Sequence, residues 1–93
     1  MIFEYDLQKS KKNKEKHGID FQEAQKIWDD ENAIIIPAKN VEGEKRYALI
    51  GKMYGKCWIC IFTIRKANYR VISVRRCRKN EEAIYEENIS KRI

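Results

Sequence analysis

Lysine-rich helical spacing opens this chain and β-branched and aromatic runs fill its middle, so helices are predicted before a sheet. Ile2-Phe3-Glu4-Tyr5 predict a short strand, and Asp6 caps a helix that runs to about His17. Leu7 is nearly its only apolar residue, while Lys9, Lys11, Lys12, Lys14 and Lys16 decorate it, so little of it can be buried. Gly18 closes it by adopting the left-handed conformation, with Lys16 and His17 in the last turn opposing the negative end of the dipole. Asp20 and Glu23 form the D-x-x-E relative of a capping box. Phe21, Ala24, Ile27 and Trp28 follow at helical spacing, which predicts a second helix packed on a core.

Strands come next. Ala33 to Ile36 form a β-branched run stopped by Pro37, a loop covers 37 to 45, and Arg46 to Gly51 read as a further strand. A hairpin turn from Lys52 to Lys56 leads into Cys57 to Arg65, apolar on both alternating faces and therefore a central strand. Arg70 to Arg75 make the last strand, and Asn80 caps a C-terminal helix with Glu81 and Glu82 in its first turn and Ile84, Tyr85 and Ile89 as apolar positions. The expected architecture is α+β, with an N-terminal short strand and two helices, a four-stranded antiparallel sheet and a C-terminal helix. Residues 1–93 leave room for one domain only.

Composition sharpens this picture at the surface. Twenty Lys and Arg against fourteen Asp and Glu give a formal charge of +6, the footprint of a protein that meets phosphate. No stretch approaches the ~18 to 20 apolar residues of a membrane span, and the N-terminal residues lack the basic-then-apolar order of a secretion signal. A cytoplasmic location without membrane partners is expected, and with it free thiols at Cys57, Cys60 and Cys77. Cys57 and Cys60 form a C-x-x-C string, but residues three apart on a strand face opposite sides, which argues for core positions over a metal or redox site. No glycine-rich phosphate loop and no spaced carboxylate set point to a metal or another cofactor.

The chemistry concentrates in residues 65 to 79, where Arg65, Lys66, Arg70, Arg75, Arg76, Arg78 and Lys79 occur without an acid. If the last two strands pair with their polar faces aligned, Thr63, Arg65, Ser73 and Arg75 form one patch. Guanidinium groups there would grip a phosphate and hold the extra charge of its transition state. Arg65, Arg75 and Arg76 are the candidate phosphate-stabilising residues, and Lys16, Arg46, Arg70, Thr63 and Ser73 the candidate RNA contacts. Surface bridges to Glu81, Glu82, Glu86 and Glu87 are the plain alternative for the arginines. His17 is the only histidine, of the side-chain type suited to moving protons near neutral pH, for instance from a ribose 2′-hydroxyl; Lys16 is the alternative acceptor, and a simple helix-end histidine the alternative role. Tyr85 is the candidate to orient substrate or serve as the acid.

Several strings carry a family likeness: Phe3-Glu4-Tyr5-Asp6, then Lys9, Asn13 and Lys16-His17-Gly18-Ile19-Asp20-Phe21-Gln22-Glu23-Ala24, then Gly43 to Gly51, then Arg70-Val71-Ile72-Ser73-Val74-Arg75-Arg76 with Glu82 and Tyr85. In that order they resemble the BrnT toxin family over almost the whole chain. Tyr5 stands where the family usually has tryptophan, Leu7 where it has proline, and Val74 and Cys77 where it has alanines. The resemblance implies a RelE-like fold and metal-independent ribonuclease activity that inhibits translation. It also implies neutralisation by a BrnA-type ribbon-helix-helix antitoxin, with operator DNA reached only through the antitoxin complex. A non-catalytic basic module that binds nucleic acid, or acts as a co-repressor, is the rival from another class, and a structural partner of an acidic peptide is a second.

Overall fold

The computed structural model describes residues 2–91. Strand β1 (Phe3–Glu4) leads into helix α1 (Leu7–His17), helix α2 (Phe21–Ala24) and a 3-10 segment (Gln25–Asp29). Four long strands follow, β2 (Ile34–Val41), β3 (Glu44–Met53), β4 (Lys56–Arg65) and β5 (Asn68–Arg76), and helix α3 (Lys79–Ser90) ends the fold. The caps act where their chemistry places them. Asp6 accepts from the N–H groups of Gln8 and Lys9, Gly18 ends α1 at φ 78°, and Asp20 with Glu23 makes a reciprocal capping box. The second helix keeps α geometry for only one turn before tightening into the 3-10 segment.

The sheet differs from the expected one. It has five strands in the order β1-β5-β4-β3-β2, because β1 pairs parallel with β5 through Phe3 opposite Tyr69 and Glu4 opposite Arg70; the other pairings are antiparallel. Pro37 does not stop β2. That strand is an edge, where a residue without an N–H costs no ladder bond if it faces outward, and it runs on to Val41 through an irregularity after Ala38. The expected loop 37 to 45 therefore shrinks to a two-residue turn, Glu42-Gly43, with positive φ at both residues; Tyr54-Gly55 and Lys66-Ala67 repeat that geometry in the next two hairpins. Asn80 lies inside α3, whose first turn is capped instead by Glu81 accepting from the Arg78 N–H at 2.7 Å.

β4 is the central strand and is buried on both faces, as its composition requires. Trp58, Cys60 and Phe62 join Leu49, Met53, Val71 and Val74 beneath Phe21, Ala24 and Ile27. Cys57 and Ile59 join Ala48 and Ile50 beneath Tyr85 of α3. The C-x-x-C sulfurs diverge to opposite cores, as strand alternation demands. The thiol expectation fails for two of three cysteines: Cys57 forms a disulfide with Cys77 in the β5–α3 connection, and Cys60 alone is free, buried, with its pKa pushed up by desolvation. The pairing was hidden because the two residues are brought level only by the β4–β5 register, where Cys77 N–H donates to Cys57 O at 3.0 Å.

Candidate active site

Helix α1 earns its place through polar contacts. Its two buried residues are Ser10, whose Oγ accepts from the Phe21 N–H, and Asn13. The Asn13 side chain donates to Ile19 O at 2.7 Å and to Val74 O at 2.8 Å, and accepts from Val74 N–H at 3.2 Å. It thus pairs with β5 as a short piece of strand would, beyond the end of β1, and satisfies backbone groups that an edge leaves open. Residues three and four apart share one side of a helix, so Lys9, Lys12 and Lys16 stand in a row beside Asn13, rising about 10 Å.

Those lysines, with Asn13, His17, Phe21, Ile72 and Ser73, line a cavity of about 240 Å³ between α1 and β5. His17 is half-buried and the lysines are exposed. Lys12, Lys16 and His17 make no ion pair or side-chain hydrogen bond with the described residues, whereas Lys14, on the other flank of the helix, is held by Glu23 at 2.8 Å. The Lys12 and Lys16 ammonium groups are therefore free to meet an anion, with an imidazole beside them that can exchange a proton with it.

A second cleft of about 220 Å³ lies where the β3–β4 hairpin meets α3, lined by Lys52, Lys56, Arg76, Tyr85, Glu82 and Glu86 among others. Arg76 donates to Cys57 O at 3.2 Å and sits over the Trp58 ring, 5.6 Å from its centroid. The Tyr85 hydroxyl donates to Asp30 Oδ2 at 2.6 Å, and the same oxygen accepts from the Lys52 N–H at 2.7 Å. Burial, then the Asp30 carboxylate, push the Tyr85 phenol up, which makes it a weaker acid than an ordinary tyrosine. Burial opposes ionisation of Asp30, yet its hydrogen bonds from Lys52, Tyr85 and Asn32 outweigh that and hold its carboxyl below the usual range. Arg75 is engaged by α3, giving two hydrogen bonds of 2.8 Å to Glu81.

The expected patch of Thr63, Arg65, Ser73 and Arg75 does not assemble. The Lys66-Ala67 turn sets Arg65 opposite Asn68 and Thr63 opposite Arg70, so Ser73 and Arg75 lie further along the hairpin, opposite Ile61 and Ile59; the extra residue at Ile72 leaves all four on one face but does not bring them level. Six residues of β4 then separate the level of Arg65 from that of Arg75, about 20 Å at strand spacing. Arg65 hydrogen-bonds Glu44 at 2.9 Å, Arg46 faces the same glutamate, Arg70 is 3.7 Å from Glu4, and Thr63 is buried with its hydroxyl donating to Lys45 O. The structure thus brings His17, Lys16 and Ser73 together, places Arg76 with Tyr85 elsewhere, leaves Arg75 between them, and sets Arg46, Thr63, Arg65 and Arg70 at the far end of the sheet. The sequence reading missed Lys12, although the spacing of Lys9, Lys12 and Lys16 marks one helix face.

Another cavity, about 410 Å³, is on the opposite flank of α1 between Tyr5, Leu7, Lys11, Lys14, Glu15 and Asp20, where carboxylates offset the lysines and no imidazole is present. Among the described residues no three of His, Cys, Asp and Glu come together as metal ligands, and no helix is long and apolar enough to cross a membrane. No curated protein matches the chain. The family model described as ribonuclease toxin, BrnT, of type II toxin-antitoxin system matches residues 5–81, a span that holds every residue of the α1–β5 groove and ends before Tyr85. The protein whose only histidine faces this lysine-lined groove therefore belongs to the BrnT family, the ribonuclease toxins of type II toxin-antitoxin systems.

Proposed function

We propose that this toxin cleaves RNA in the groove between α1 and β5 by a metal-independent reaction, within a RelE-like architecture of two helices ahead of the sheet. The observation that carries the reading is the single imidazole, half-buried at the end of the lysine row, where Lys12 and Lys16 pair with none of the described residues. A phosphodiester seated there meets the ammonium groups of Lys12 and Lys16. His17 takes the proton of the ribose 2′-hydroxyl, the 2′-oxygen bonds to phosphorus, and the bond to the 5′-oxygen breaks. The leaving oxygen takes a proton from Lys16 or from water, so the products are a cyclic phosphate and a free 5′-hydroxyl. Arg75, about 7 Å along β5 from Ser73, joins the phosphate path once Glu81 releases it. Cleavage of messages stops translation in the cytoplasm until a BrnA-type ribbon-helix-helix antitoxin covers the toxin, and that complex carries the contact with operator DNA.

Incubation of purified protein with RNA in EDTA tests this reading. The wild-type chain is expected to cut RNA, and His17→Ala to cut it about 10²- to 10⁴-fold more slowly while melting at the same temperature and retaining RNA binding. Binding without scission by the wild-type chain would instead make it a non-catalytic nucleic-acid module. Undiminished cleavage by His17→Ala would remove the groove from the chemistry.

A further inference from the structure

Helix α3 covers only part of its face of the sheet. Ile50, Cys57 and Ile59 are buried beneath Tyr85, but Ile36, Ala38 and Ile61 stay partly exposed on the same face. Around this strip stand Arg46, Arg65 and Arg70, served by two carboxylates. Glu44 accepts hydrogen bonds from Arg65, whose Nε and Nη2 both donate to Oε2. Arg46 Nε is buried and makes no well-formed hydrogen bond among the described residues; Glu44 Oε1, 3.5 Å away, is a distant partner whose carboxylate already serves Arg65. A buried N–H left unmatched is costly, and an incoming carboxylate would both satisfy it and balance the third guanidinium. Apolar side chains between the cations favour a protein segment over RNA, whose phosphates would meet Glu4 and Glu44 with nothing to place on the isoleucines.

We infer that this half-covered face is where the antitoxin docks, through a segment that sets apolar side chains on Ile36, Ala38 and Ile61 and a carboxylate on Arg46. The inference rests on the family reading for the existence of an antitoxin, and locates it on the sheet face instead of in the groove. Ala38 lies directly opposite Arg46 in the β2–β3 register, so Ala38→Glu would supply the missing carboxylate from within the toxin and fill the strip.

Titration calorimetry of the cognate antitoxin into the full-length toxin is expected to show Ala38→Glu and Arg46→Ala each weakening binding at least tenfold. Ala38→Glu should melt no lower than the wild type and cut RNA at the wild-type rate. Unchanged antitoxin affinity in both variants would overturn the inference, as would a loss of cleavage by Ala38→Glu with antitoxin affinity kept, which would assign the face to RNA. Weakening by Lys12→Glu with the two face variants unaffected would also overturn it, by placing the antitoxin over the groove. A wild-type chain that forms no complex would remove the partner itself, a failure plainly distinct from an intact complex that ignores these substitutions.

Discussion

Asn13 shows how a single side chain positions the groove. Its amide occupies both hydrogen-bonding groups of Val74 and the carbonyl of Ile19, so it fixes α1 against β5 and ties down the connection that follows Gly18. Removing it leaves buried backbone groups of a core strand unmatched. Asn13→Ala is therefore expected to lower stability by about 2–3 kcal/mol, read as a fall in the urea midpoint, and to slow cleavage through displacement of His17 even though Asn13 handles no proton. The sequence reading held that little of α1 is buried, and that is what the structure shows. It did not show that the buried residues are polar, because an amide matched to a strand edge leaves no hydrophobic pattern to detect.

At the scale of elements, α3 is held by specific polar ties as well as by Tyr85. Glu81 accepts from Arg75 and from the Arg78 N–H, the Tyr85 hydroxyl reaches Asp30, and Asn88 donates to Asn32 O. The Arg75 guanidinium holds the Glu81 carboxyl below its ordinary 4.5 in the folded chain. Unfolded chains then take up that proton at higher pH than folded ones. The stabilisation is whole above pH 4.5 and is lost as pH falls through the lowered folded value. Glu81→Gln should accordingly melt lower than the wild type at neutral pH, with the gap closing as the pH is lowered below 4.5, and thermal melts across that range check it. The plain alternative foreseen for the arginines, pairing with the glutamates of the C-terminal helix, is thus what Arg75 does in the free chain.

For the molecule as a whole, the +6 charge matters through its placement. Lys12 and Lys16 face one groove and pair with none of the described residues, Lys14 is neutralised by Glu23, and Lys11 lines the cavity on the other flank. Each lysine that contacts a phosphate of single-stranded RNA adds about 0.7 to the slope of binding against salt. Lys12→Gln is expected to flatten that slope by about this amount while Lys11→Gln leaves it in place, measured by anisotropy of a labelled RNA over a salt series. Equal effects from both would show that RNA responds to net charge and not to the groove.

What the sequence determined by itself was local: the caps at Asp6 and Asp20, the close at Gly18, the two-sided strand around Cys60 and the divergence of the C-x-x-C pair. Each depends on residues within a few positions of one another, where backbone geometry and side-chain chemistry act without the rest of the chain. The tertiary structure decided what depends on distant residues meeting. Asn13 finds Val74 across 61 residues, Cys57 finds Cys77, β1 joins β5, and the β4–β5 register sets Arg75 opposite Ile59, far along the strand from Arg65. A register shift of one residue reverses which side chains share a face, and no local pattern encodes it, because it is set by packing summed over two strands and the helices that cover them.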